Sequence, residues 1–398
     1  MAAPSIAQAV FSDPPVLLIH DQLLTLDSHI DVRNGYGTHR IDPGVLNMEQ
    51  VNLPSMRIGG LDAGFFIVYT RQGELNEEGY AQGVAMAEER YHGIVRMLRA
   101  YPDQIALATT ADQVEAIHAD GKLVALIGME NSFPLGMNDQ QVKDKVALWA
   151  ARGVRYASLT HFGHNQFGGS SNPIEQLGNG EDPGLTQLGK VLVQALNDHG
   201  VMVDISHVGE ATTEDAIALS RAPVIASHST VKAVHDNPRG LSNTQLQAIR
   251  DTGGVAQITA FRAYLAELNP QVLSEVEELR NRLGLVNSAA WATVTEATMA
   301  EYRSELARIR STYGDVTLDQ YLDHVDHAVK VAGIDHVGLS GDFDGGGGVA
   351  GWDGAADSPN VTAGLLERGY SEEDIAKLWG QNLLRVMRAV QAAAIQAQ

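Results

Sequence analysis

The sequence predicts an α/β protein: a (β/α)8 TIM barrel read as a single domain over residues 1–398, with a mostly helical insertion over 262–316 after the seventh strand. Three observations carry this expectation. Short apolar runs alternate with longer helical patterns along almost the whole chain, and eight such runs can be counted. Residues able to bind a metal or move a proton recur at the carboxyl ends of six of them. A doubly wound open sheet is the alternative arrangement of the same elements.

The runs expected as strands are 25–31, 64–70 ("GFFIVYT"), 123–130 ("LVALIGME") and 156–162 ("YASLTHF"), followed by 201–207 ("VMVDISH"), 223–229 ("PVIASHS"), 254–261 ("GVAQITAF") and 336–345 ("HVGLSGDFDG"). Helical patterns separate them over 79–100, 140–152, 187–199, 210–220, 242–251, 317–332 and 371–395. The segment 262–316 breaks the rhythm with two charged amphipathic patterns, 271–284 and 295–311. In "EVEELRNRL" Glu precedes Arg at helical spacing, which supports an exposed helix. An insertion after a strand's carboxyl end emerges on the active-site face of a barrel. A lid, an oligomer contact and a solvated decoration are all open there. "GGGG" at 345–348 reads as a mobile loop after the last strand.

A chain of 398 residues with 44% hydrophobic content is long enough for one large barrel or two ordinary domains. The net charge of −21 argues against nucleic acid and against anionic membrane surfaces. With no cysteine, disulfides, thiolate zinc sites and cysteine nucleophiles are excluded. Any metal must therefore be held by His, Asp and Glu, which suits zinc or another divalent ion. No apolar stretch approaches the ~20 residues of a transmembrane helix. "MAAPSIAQAVFSDPP" lacks a basic region and a long apolar core, so it is not an intact signal peptide. A soluble protein, either cytoplasmic or exported with its signal removed, fits equally.

The first strand ends in His29 and Asp31, two positions apart and so on one face, because strand side chains alternate. The third ends in Glu130, the fourth in His161, the fifth in His207, the sixth in His228 and the eighth in Asp342. Each alone is ordinarily a satisfied core or turn residue. Together they are not, because strand ends converge on one mouth of a barrel. Four terminal ligands around a central carboxylate suit two divalent ions bridged by Glu130, with a shared water that becomes hydroxide near neutral pH. Asp342 is the carboxylate left to shuttle a proton to a leaving amine, and His161 is placed to donate to an oxyanion.

Other motifs are decoys. "GLTQLGKV", residues 184–191, has phosphate-loop spacing, but Val191 follows Lys190 and no strand precedes it, so a helix capped by Thr186 is expected. His324 and His327 lie one helical turn apart on what reads as a solvated helix face. His39, His92, His118, His199 and His235 are read as structural, and no GxSxG elbow is present.

At these residues the sequence resembles the membrane (renal) dipeptidases, binuclear zinc peptidases of the amidohydrolase superfamily. The markers, in order, are "LDSHID", "QVNLPSMRIGGLDAGFFIVY", "GMEN", "SLTHFGHN", "GLTQLGKVLVQALNDHGVMVDISHV", "APVIASHS", "HVGLSGDFDG" and "GQNLLRV". The resemblance runs from about residue 24 to about 390 and is interrupted by 262–316. It implies a (β/α)8 fold, a homodimer and hydrolysis of dipeptides with an L or D second residue. It also implies two Zn2+ per chain. His29 and Asp31 would bind one, His207 and His228 the other, and Glu130 would bridge them. His161 matches the histidine that contacts the substrate carbonyl, and Asp342 matches the aspartate for the amine and proton transfer. Arg239 of "HDNPRGLS" matches the arginine that holds the free carboxylate of the substrate.

This chain departs from the family pattern in three places. Ile30 stands where Asn is frequent, and "FGHNQFGG" replaces a Trp-containing loop. The insertion is long, and without cysteine no interchain disulfide can form. Two other functions remain open from sequence alone: an N-acyl-(D-)amino acid deacylase or peptide-metabolite maturation hydrolase, and a non-catalytic binding protein on the same fold.

Overall fold

The computed structural model describes residues 14–174, 180–287, 290–291 and 293–394. Most of the stretch weighed as a signal peptide lies outside the described residues.

Eight strands form a parallel ring in the order β1-β2-β4-β5-β6-β7-β9-β10. They are β1 Leu26–Asp31, β2 Ala63–Tyr69, β4 Leu123–Glu130, β5 Val154–Ser158, β6 Met202–Asp204, β7 Ile225–Val231, β9 Val255–Thr259 and β10 Val337–Ser340. The ring closes where the Asp31 amide donates to Phe343 O at 2.9 Å and the Gly341 amide reaches the Asp27 carboxylate at 3.0 Å. This closure is what separates the barrel from the open-sheet alternative. Two short strands absent from the sequence reading complete the set, β3 Ile105–Leu107 and β8 Gly240–Leu241. β3 pairs with Leu123–Ala125, the part of β4 below the point at Ile127 where β5 begins pairing, so it covers an edge left open.

Apolar alternation sorts the strands into two packed layers. Val124 and Leu126 of β4 share the parity of Glu130 and face into the barrel, as do Phe65 and Ile67 of β2, which pair with Leu126 and Gly128, together with Leu26, Tyr156, Met202, Ile225 and Val255. Residues of the last helix, Asn382–Ala393, join this interior cluster through Leu383, Met387 and Val390. Phe66, Val68, Ala125, Ile127 and Met129 face outward and pack under the helices.

The expected helices form, with Thr186 capping Gln187–Asp198 by accepting from the Gly189 amide. The insertion builds the two helices Pro270–Arg282 and Glu296–Tyr313, which share a small core of Val272, Leu279, Leu285, Met299, Tyr302 and Ile309. Its ends are stapled together: Arg262 bonds Asp315 through Nε and an Nη at 2.7 and 3.1 Å, and Asp353 at 2.8 Å. No helix among the described residues is long and apolar enough to cross a membrane.

Two local expectations are corrected. "GGGG" is a hydrogen-bonded turn in which Gly347 and Gly348 are buried and donate to Asp342 O at 2.8 Å and Gly341 O at 3.1 Å. His324 is fully buried, and only His327 lies on the exposed face. His324 Nδ1 accepts from the Val231 amide, and its Nε2 donates to Leu265 O, both at 3.0 Å. It thus ties the helix Leu318–Ala332 to the end of β7 and to the base of the insertion. Helical spacing alone could not separate it from its neighbour one turn away.

Replacing His324 by Leu leaves a buried N–H and a buried C=O unpaired, and urea unfolding at pH 7.5 should show a loss of about 2–4 kcal/mol. Burial pushes the His324 pKa down from 6.5 to about 4. The unfolded chain therefore takes up a proton that the folded chain refuses. This contribution is whole above pH 6.5 and is lost progressively toward pH 4, so the gap between wild type and H324L should narrow on acidification.

Candidate metal centre

The donors reach one point because two strands slip register just before they end. In β1 the pairing with β2 shifts between Asp27 and Ile30. Leu26 faces the barrel interior while Ile30, four residues on, packs outside, so the shift exchanges the faces. His29 and Asp31 then point inward. β7 repeats the device: its pairing shifts between Ala226 and Ser229, Ile225 faces inward, and His228 does so three residues later. His161, His207 and Asp342 lie beyond the last paired residues Ser158, Asp204 and Ser340 rather than on the strands, which end earlier than the sequence suggested.

Glu130 is the hub, only 4% exposed. Its Oε1 is 3.0 Å from His207 Nε2, 3.2 Å from His228 Nε2 and 3.8 Å from His161 Nε2. Its Oε2 is 3.7 Å from His29 Nε2, which is 3.5 Å from Asp31 Oδ2. His207 Nε2 and His228 Nε2 are 2.8 Å apart. Donor atoms of His29, Glu130 and His228, of Glu130, His161 and His207, and of His29, Asp31 and Asp342 each gather within 4.8 Å. Ligands bonded at about 2.0–2.1 Å to one tetrahedral zinc stand about 3.3 Å from each other, the spacing seen around Glu130.

The hydrogen bonds behind the ligands fix their tautomers. Tyr156 donates its O–H to Ser28 O at 3.0 Å, so at 2.9 Å it accepts from His29 Nδ1–H and leaves the Nε2 lone pair free. That Nε2 is buried and has no hydrogen-bond partner. Ser227 donates to Asp204 Oδ2 at 2.6 Å, so at 2.8 Å it accepts from His228 Nδ1–H with the same result. Asp204 is itself held by the amides of Ser206 and Ser227 at 3.0 and 2.8 Å. Lone pairs aimed at a common carboxylate, one of them orphaned, fit a divalent cation.

The charges agree with the geometry. Burial pushes His207 and His228 well below the ordinary imidazole value, so both stand neutral with lone pairs to give. Burial opposes ionisation of Glu130, but the surrounding histidines outweigh it and hold the carboxyl well below the usual range. For His29 the carboxylates of Glu130 and Asp31 overcome burial and raise its proton affinity well above 6.5. The same pair of negative charges would hold a metal cation at Nε2 in place of the proton.

The donors open into a cavity of about 370 Å³ lined by Asp31, Glu130, His161, His207, His228 and Asp342. Aromatic rings form its sides: Tyr69 lies edge-on to His161 with centroids 5.0 Å apart, and Phe162 stacks on His161 at 4.6 Å. Phe261 and Tyr264 stack on each other at 4.2 Å. Burial, with the negative charges of Asp31 and Glu130, raises the Asp342 carboxyl well above its ordinary value. Arg239 is 3% exposed and lies behind this wall, donating to His228 O at 2.8 Å with its guanidinium 5.6 Å from the Tyr264 ring centre. Its Nε is buried and unpartnered.

Seven of the eight site residues read from the sequence thus gather at one mouth, and the eighth, Arg239, lies behind its wall against His228 O. Tyr156, Ser227, Asp204, Tyr69 and Tyr264 were missed. For Asp204 and Ser227 a signal existed, since each stands within three residues of a ligand in "DISH" or "ASHS". Tyr156 had none, because its O–H works across the barrel from its own strand.

The ring of donors on these strand ends defines a barrel metallohydrolase. The chain belongs to the membrane dipeptidase family, peptidase family M19, whose model matches residues 16–398. It is therefore a metallopeptidase, and its relatives support the dipeptidase class. The crystal structure of the probable dipeptidase PvdM from Pseudomonas aeruginosa is 34% identical, with a TM-score of 0.82 over 96% of this chain and 98% of that one. Dipeptidase ataJ of Aspergillus terreus is 29% identical over 416 residues, 96% of this chain and 90% of that protein. Dipeptidase verJ of Clonostachys rogersoniana is 30% identical over 74% of this chain, a match that reaches 62% of that protein's length. A metallopeptidase from Rhodobacter sphaeroides, solved with a phosphinate mimic of L-Ala-D-Ala, shares the fold at 22% identity and a TM-score of 0.69, over 92% of this chain and 99% of that one.

Replacing Glu130 by Ala should abolish metal binding, read by elemental analysis of dialysed protein; an unchanged metal content would remove Glu130 from the ligand set. Tyr156→Phe and Ser227→Ala should keep the fold but weaken metal affinity by about 10–100-fold, read by chelator competition.

Proposed function

We propose that this protein is a dipeptidase that hydrolyses L-Xaa-L-Xaa or L-Xaa-D-Xaa with two zinc ions bound per chain. His29 and Asp31 would hold one ion, His207 and His228 the other, and Glu130 would bridge both. Bound there, the ions would supply an activated water and polarise the scissile carbonyl. The observation that carries the reading is the convergence of four imidazoles on one buried carboxylate, two of them, His29 and His228, oriented by hydrogen bonds, with a buried and incompletely bonded arginine nearby.

The remaining groups divide the substrate between them. Arg239 would fix the free carboxylate, since a guanidinium with an unpartnered buried Nε still has a donor to give. Asp342, beside Asp31 and His29, would take the proton of the water and return it to the leaving amine. His161, held between Tyr69 and Phe162, would donate to the developing oxyanion. A clamp for the terminal carboxylate and a cavity of about 370 Å³ favour dipeptides over long chains. Family membership also supports a homodimer, for which the insertion is one candidate contact.

The test is turnover by zinc-loaded protein of a panel of L-L and L-D dipeptides set against N-acyl-D-amino acids at matched concentrations. Faster hydrolysis of the N-acyl compounds would replace the dipeptidase reading. Arg239→Ala should raise KM for free dipeptides about 10–100-fold while changing KM for carboxy-amidated ones little. Equal losses on both would remove the clamp role.

A further inference from the structure

The cavity carries a second set of arginines on the side facing Arg239. In the ring order, β2 and β7 stand four places apart among eight strands, so the segments that follow them look at each other across the mouth. Arg239 follows β7. Arg90 lies on the helix Glu77–Ala100 that follows β2, and Arg33 lies just after β1. Both line the cavity.

Arg90 is incompletely paired. One of its Nη groups donates to a neutral group, the side-chain oxygen of Asn34, and its Nε is buried without a partner. The negative charge acting on it most is that of Asp31, a proposed metal ligand. The other acids on this wall are already occupied. Glu49 binds Arg33 at 2.8 Å. Asp344 accepts the amides of Gln50 and Val51 at 2.9 and 3.2 Å. Arg303, from the insertion helix Glu296–Tyr313, reaches Asp344 at 3.3 Å and Glu49 at 3.7 Å. Arg33 and Arg303 thus take up these two carboxylates, and Arg90 forms an ion pair with neither. Once Asp31 serves a metal, Arg90 has no ionic partner among the described residues. A cation so placed is costly to desolvate unless an anion meets it.

We propose, building on the dipeptidase reading, that this wall receives a side-chain carboxylate, so that the preferred substrates are dipeptides with an acidic amino-terminal residue. With the terminal carboxylate at Arg239, the amino-terminal side chain is directed to the opposite side of the mouth. There Arg90, with Arg33 beside it, offers donors for a charge-assisted pair. Arg303 acts one layer back by holding Glu49 and Asp344, which would otherwise repel an acidic substrate.

The experiment compares L-Glu-L-Ala with L-Gln-L-Ala, which differ in charge and hardly in shape. On zinc-loaded wild type, kcat/KM should favour Glu by about tenfold or more, the size of one charge-assisted contact. In Arg90→Met that ratio should fall to within about twofold. Calorimetry with phosphinate mimics of the same two dipeptides gives a readout independent of turnover, and the Glu-type mimic should bind more tightly to wild type but not to R90M. Equal rates on the two dipeptides, or equal affinity for the two mimics, would overturn the proposal. So would an R90M protein that keeps the Glu preference but loses metal, because Arg90 would then only position Asp31. Metal-loaded protein that cleaves no dipeptide would sink the dipeptidase reading instead, while the calorimetry would still decide for or against the acidic pocket.

Discussion

Burying a carboxylate among imidazoles is tolerable only if every neighbour is held in the right protonation state and orientation, and Glu130 imposes that condition on the whole mouth of the barrel. Desolvation favours neutral histidines, and neutral histidines can turn either nitrogen toward the centre. For His29 and His228 the choice is made by hydrogen-bond chains that run to another strand. The chain Asp204–Ser227–His228 links the ends of β6 and β7, and Ser28–Tyr156–His29 links β1 and β5. Ligand orientation is thus a product of barrel closure. An open sheet of the same strands would bring neither Tyr156 to His29 nor Gly341 to Asp27.

The backbone bears the cost of this convergence. Among the described residues the non-glycine residues with positive φ are Asn131, His207, Asp342 and Asp344, at 70°, 68°, 51° and 63°. All four lie at or just past the carboxyl ends of β4, β6 and β10, where β-region geometry would carry the side chains elsewhere. Each is supported locally: Asn131, for example, donates to Thr70 O at 2.9 Å and accepts from Asn165 at 3.0 Å. Two glycines show how little space is left. A Cβ on Gly128 would meet the Tyr156 ring at 2.3 Å, and one on Gly345 would meet Asp31 Oδ2 at 2.1 Å. Neither could be alanine without displacing a candidate ligand or the group that orients one.

The chemistry was legible because it lies in the ends of strands. Alternation placed β1, β2 and β4 to within a few residues, and the polar endings pointed to one mouth once a barrel was assumed. What escaped was whatever depends on register or on contacts across the barrel. A single strand does not reveal that a slip between Asp27 and Ile30 exchanges its faces, although His29 and Asp31 owe their direction to it. The burial of His324 depends on the chain segment around Leu265 that packs over it. "GGGG" suggested freedom by composition, yet the space between Asp31, Asp342 and Phe261 is too narrow for any other residue to make that turn.

The wall proposed to receive the substrate side chain is built from a different layer of the sequence, about which the motifs are silent. The wall facing Arg239 is assembled from the segment after β1, the helix after β2 and the turn after β10, backed by the insertion helix Glu296–Tyr313. Arg33 and Arg303 lie against the carboxylates of Glu49 and Asp344 on that wall, and Arg262, Asp315 and Asp353 clamp the base of the insertion that carries Arg303. The insertion is therefore coupled electrostatically to the cavity without lining it at Arg303. Changes on its helices can alter which charges a substrate meets while Glu130 and its histidines stay in place. The candidate metal ligands are thus held in place by closure of the ring, and the arginine-lined wall by what packs on its rim.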